Sequence, residues 1–139
     1  MFRIRNQQLD TIAMKRFVDR VETTLMDEWF MRKNFQEEKE RLPLRQMIEH
    51  GISIAQRYGL ETEQDLVFFL LNMIEIGPQF HEHPPIQRLV ADKSLAFSER
   101  KHELLSLASG EWDAAARIGD ANAYWAEVLP DYWRAQDVD

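Results

Sequence analysis

The sequence predicts an all-α fold: a single-domain helical bundle of five to seven helices, with a central apolar helix at about residues 63–76. Three observations carry this expectation. Apolar residues recur at helical period from about Gln7 onward. Proline and glycine fall where those periodic stretches begin and end. The chain of 139 residues is 45% hydrophobic with no cysteine, so it can close a core without a disulfide or cysteine-ligated metal.

The first helix runs from about Gln7 to Phe30. Leu9, Ala13, Phe17, Val21, Leu25 and Trp29 recur every four residues along one face, and Lys15, Arg16, Asp19, Glu22 and Asp27 lie on the other. Residues 31–41 are dense in charge, with Glu37, Glu38, Lys39, Glu40 and Arg41, and read as a solvated connection or a helical extension. Leu42-Pro43 restarts the chain, because proline in a first turn gives up an amide that has no partner there. Leu44, Met47, Ile48, Gly51, Ile52, Ala55 and Tyr58 then form one stripe. Gly51 in mid-stripe costs about 1 kcal/mol against alanine, so a close helix crossing is expected to offset it.

Gly59-Leu60 reads as a left-handed C-terminal cap with its apolar contact. Thr62 is the expected N-cap of the next helix, with Glu63 and Asp65 facing its positive end. That helix holds Leu66, Val67, Phe68, Phe69, Leu70, Leu71, Met73, Ile74 and Ile76, and its nearly continuous apolar surface places it at the centre of the core. Gly77-Pro78 ends it. Pro84-Pro85 starts a short helix through Val90, and Ser98 is expected to cap another through Leu107, with Leu104, Leu105 and Leu107 inward. Five helices are thus expected before Gly110.

Composition changes at Gly110. Residues 111–139 hold seven acids against two arginines, −5 of the chain's net −7, together with Trp112, Tyr124, Trp125, Tyr132 and Trp133. The expected division is a helical core over 1–110 and an acidic, aromatic extension over 111–139, with Asp113 to Ile118 and Ala121 to Leu129 able to form helices before Pro130. Burial of these aromatics against the core is one reading. Exposed partner contacts are the other, and Trp125, Tyr132 and Trp133 are the candidate partner-binding residues, since Trp and Tyr are enriched at interface hot spots.

Charge and composition narrow the function classes. A net charge of −7 removes the electrostatic attraction that supplies most nucleic-acid affinity, so no nucleic-acid partner is expected. The longest apolar run, Leu66 to Leu71, is far short of the ~20 residues that span a bilayer, and the opening residues have no apolar signal core. A cytoplasmic protein without membrane insertion is expected. Neither G-x-G-x-x-G nor G-x-x-x-x-G-K occurs, and no cofactor is expected.

Three clusters invite a chemical reading. His81-Glu82-His83 offers two imidazoles and a carboxylate, the ligand types of a transition metal, but lies between prolines with no third ligand close by; a polar loop is the expected role. Ser98-Glu99-Arg100-Lys101 matches S-x-x-K without the partner motifs S-D-N or K-T-G, and a helix cap accounts for Ser98. Asn72 in the apolar helix reads equally as a buried hydrogen-bonded group or as part of a solvent-facing strip beside Glu75. His50 and His102 read as surface or hydrogen-bonded histidines. No catalytic or metal site is expected.

The stretch from Met47 to Leu60, with Gly51, Ala55, Tyr58 and Gly59, then Asp65 to Met73, then Gly77-Pro78-Gln79-Phe80, resembles small all-helical accessory proteins encoded in bacterial type VI secretion effector and adaptor loci. Ile4-Arg5-Asn6-Gln7 leading into a long helix is similar too, as is the pattern after Pro84. The resemblance covers about residues 1–108, and the family's frequent tryptophan after the G-P-x-F segment is absent from Ile86-Gln87-Arg88-Leu89. It implies a non-enzymatic co-adaptor or co-chaperone that binds an effector, or its adaptor, and helps load it onto the secretion spike. An immunity protein whose acidic surface occludes a toxin's active site is the alternative, since such inhibitors are also small, soluble and often acidic. The oligomeric state is left open.

Overall fold

In the computed structural model, which describes residues 11–29 and 43–129, the fold is all-helical. Seven α-helices occur among the described residues: α1 Thr11–Thr24, α2 Leu44–Arg57, α3 Glu63–Glu75, α4 Pro84–Val90, α5 Phe97–Leu105, α6 Ser109–Ala116 and α7 Ala121–Val128. A π-helical segment, Leu25–Trp29, continues α1, and a 3₁₀ turn, Phe80–Glu82, precedes α4.

α1 buries Phe17 and Val18 and hands on to the buried Leu25 at the start of the π segment. A strict four-residue repeat drifts by about 40° per step around a helix of 3.6 residues per turn, and the wider π turn takes up that drift. Across the other side of α1, Arg45 on α2 reaches Asp19 at 2.7 Å and Glu22 at 3.1 Å, while Arg20 meets Glu63 of α3 at 2.7 Å. Leu9 and residues 31–41 lie outside the described residues.

α2 and α3 cross where the sequence places the packing glycine. A Cβ on Gly51 would lie 2.6 Å from Leu70 Cδ2 and 2.8 Å from Met73 Sδ, so α3 occupies the space that any side chain there would need. α2 then ends as expected. Gly59 takes φ +87°, its N–H bonds the Gln56 carbonyl, and the Leu60 N–H bonds the Ala55 carbonyl, the paired bonds of a Schellman motif, with Leu60 buried. Two residues later the Thr62 hydroxyl accepts from the Asp65 N–H at 3.2 Å and starts α3. α3 buries Leu66, Phe69, Leu70 and Met73, and its remaining apolar residues are partly covered.

Arg100 is the internal tie of the second half. The side chain is only 5% exposed, and its guanidinium donates to the carbonyls of Leu95 (3.0 Å), Tyr58 (3.0 Å) and Val90 (2.7 Å). The C-terminal ends of α2 and α4 and the approach to α5 are thereby joined at one group, whose face also covers Phe97.

Three expectations are corrected. α5 begins at Phe97, with Ala96 as N-cap and the Glu99 carboxylate accepting from the Ala96 N–H at 3.1 Å; Ser98 is exposed in the first turn and does not cap. Leu105 is 68% exposed, because it stands a quarter-turn from the buried Leu104. Gly110 is no structural boundary: Ala115, Trp125 and Leu129 belong to the same buried cluster as Phe17 and Leu70, and Trp112 packs against it.

Candidate functional site

A polar cleft of about 340 Å³ brings several titratable side chains together. α2 supplies His50, Ile54 and Arg57 at i, i+4 and i+7, one face of the helix, followed by Tyr58 at its C-cap. The 3₁₀ turn adds His81 and Glu82, and α7 adds Tyr124.

His50 Nε2 lies 2.7 Å from Tyr124 Oη. Its ring meets Tyr124 and Trp125 edge-on, each with centroids 5.7 Å away, so two successive residues of α7 straddle one imidazole. Burial, and then the nearby Arg57 charge, hold the His50 pKa below its ordinary value. The Tyr124 phenol is pushed up by burial and by Glu82.

His81 is deeper, at 6% exposure. Its Nδ1 lies 2.9 Å from Tyr58 Oη, and its ring is boxed by Tyr58, Phe69 and Phe80 at centroid distances of 5.4–5.5 Å. Among the described residues Nε2 has no hydrogen-bond partner. Burial lowers the His81 pKa and prevails over Glu82 and the Pro78 carbonyl, which both favour the charged ring. A neutral imidazole sharing one hydrogen bond with the Tyr58 hydroxyl is the state this packing stabilises.

His81 therefore belongs to the core, a correction to its expected place in a polar loop. His83, two residues on, turns the other way and meets Glu111 of α6 at 2.7 Å. The two imidazoles of His81-Glu82-His83 thus diverge, and among the described residues no three His, Asp or Glu side chains gather around a common point. The S-x-x-K pair is also apart in role: Lys101 reaches toward Asp65 (3.8 Å) and lies over the Phe68 and Phe97 rings, while Ser98 faces solvent. Asn72 is partly buried and its amide donates to the Phe68 carbonyl of its own helix at 2.9 Å. His102 is exposed.

Of the candidate partner-binding residues, Trp125 is 4% exposed and forms part of the core, so in this conformation it presents no surface to a partner. Tyr132 and Trp133 lie outside the described residues. Arg100, Tyr58 and Tyr124 were not among the candidates. Arg100 carries one readable signal, since it shares a helical face with Phe97 and Leu104, three residues before and four after.

A second, apolar groove of about 290 Å³ runs between α1 and α3, lined by Phe17, Val21, Leu25, Val67, Leu70 and Leu71. The Arg20–Glu63 ion pair stands at its rim. Among the described residues no helix is long and apolar enough to cross a membrane. No protein-family model, curated protein or solved structure matches this chain.

Proposed function

We propose that this chain is a non-enzymatic accessory protein that binds a type VI secretion effector, or the effector's adaptor, in the bacterial cytoplasm and assists its loading onto the secretion spike. One observation carries the reading. The residues of the resemblance are those that frame the helical core: Gly51 at the α2–α3 crossing, Gly59-Leu60 at the end of α2, and Gly77-Pro78-Gln79-Phe80 placing the buried Phe80 under α6. A binding role also fits the reactive side chains, which hold the fold together: His81 pairs with Tyr58, His83 with Glu111 and Lys101 with Asp65. The net charge of −7 favours a partner with a basic surface, and on that ground an immunity protein against a basic toxin is the second reading.

Co-purification with the products of neighbouring genes, paired with a toxicity-rescue assay, separates the two. A co-adaptor captures an effector or adaptor, supports its secretion and leaves intoxicated cells unprotected. An immunity protein rescues those cells and is dispensable for secretion. Turnover of a substrate by the purified chain would overturn both.

A further inference from the structure

We propose that α7 is an acid-released latch: it is pinned to α2 at His50, and protonation of the imidazole pair in the cleft beneath it, His50 and His81, frees it about Gly119. The latch goes beyond the accessory role and does not depend on it.

The geometry that points to this is a terminal helix seated against a titratable ring. α7 buries Trp125, followed by Leu129, and packs Tyr124, Ala126 and Val128 partly against the core, while Ala121, Ala123 and Glu127 face solvent. Tyr124 and Trp125 both rest on His50, so one titratable ring meets two successive residues of the seat. Gly119 joins α6 to α7 at φ +66°, a conformation glycine adopts without strain, and it provides the pivot. The Asp120 carboxylate accepts from the Ala123 N–H at 3.2 Å, a cap internal to α7 that survives when the helix lifts.

The charges facing the pair make protonation costly in place. α2 contributes Arg57, the 3₁₀ turn Glu82, and α7 Tyr124 and Glu127. With both rings neutral, Arg57 and Glu82 balance across the cleft. Two added protons leave three cations facing Glu82 at close quarters, with Glu127 farther out on α7, and His50 and His81 already disfavour each other's charge. Protonated His50 can still donate to Tyr124, but its desolvation remains, and among the described residues His81 has no acceptor at Nε2. Water relieves both, and water enters where Tyr124 forms the cleft wall. Lifting α7 removes that wall and opens both rings to solvent.

Hydrogen exchange of the full chain, read by mass spectrometry and corrected for intrinsic exchange rates, tests the latch at about pH 7.5 and about pH 5.5. Between them, the peptide 119–129 should lose at least about tenfold more protection than the peptide 63–75. His50→Gln, which keeps a donor for Tyr124 but cannot titrate, should remove most of that difference. If His50→Gln does not fold, the wild-type imidazole proton resonances decide: His50 must titrate with the same midpoint as the loss of protection. Equal loss in both peptides, no loss at 119–129, an undiminished loss in His50→Gln, or a separate midpoint would each overturn the proposal.

Discussion

Trp112 lies stacked on Phe80, with ring centroids 6.3 Å apart and 21° between their planes, and this pair joins α6 to the 3₁₀ turn beneath the core. Truncation after Ser109 removes that ring together with Ala115, Trp125 and Leu129, uncovering Phe80 and the His81 box. The truncated chain should melt without cooperativity or aggregate, as followed by far-UV circular dichroism and light scattering. A cooperative transition near the full-length midpoint would show that residues 110–139 add nothing to the core.

At Gly51 the predicted outcome depends on the size of the replacement. Gly51→Ala gains about 1 kcal/mol of helix propensity. That gain is offset by moving Leu70 Cδ2 and Met73 Sδ, the flexible parts of two side chains. Its urea midpoint should therefore lie close to wild type. Gly51→Leu has no such room and should lose about 1–3 kcal/mol by overpacking. An unchanged midpoint for the leucine variant would contradict the crossing.

Stability should fall in two stages as the solution is acidified. His50 and His81 have native pKa values below the ordinary 6.5, so below that pH the unfolded chain takes up protons first and the native state loses stability until the native pKa values are passed. Asp19 is held below 3.8 chiefly by its bond from Arg45, and Asp92 by its bonds from Ser94. Their contribution is present above 3.8 and disappears as pH falls through the lowered values. Urea midpoints measured across this range should show a first decline beginning near pH 6.5, and His81→Gln should flatten part of it.

The hydroxyl of Tyr58 and Nδ1 of His81 form a polar contact enclosed by aromatic rings. Tyr58→Phe leaves that nitrogen without its partner and should cost about 1–2 kcal/mol in urea denaturation. It should also move the histidine's titration, a change that a purely steric effect would not produce.

Much of the helical plan was readable because each signal acts locally. Thr62 accepts an amide three residues on, and Gly59 bends the chain within its own turn, so both could be placed without knowing the fold. Burial at a distance was harder to read. Arg100 sits among Ser98, Glu99 and Lys101 and has the look of a solvated charge, yet its partners are carbonyls up to 42 residues away. The charge-rich composition around Trp125 left exposure open beside burial, but composition averages over a segment, and α7 turns its one acid, Glu127, outward and its tryptophan inward. The cleft was not legible at all, since His50, His81 and Tyr124 come from three elements with no shared motif.

The Arg100 tie also bears on the order of events during folding. Tyr58, Val90 and Leu95 can all present their carbonyls to one guanidinium only after α2, α4 and α5 have docked. Contacts that close after the rate-limiting step govern how fast the native state is lost more than how fast it is reached, and the 42-residue bond to the Tyr58 carbonyl is expected to be one of them. Arg100→Met should accordingly accelerate unfolding in stopped-flow traces while leaving the refolding limb nearly unchanged. The same guanidinium would then set the lifetime of the folded chain, a property that equilibrium stability alone does not determine.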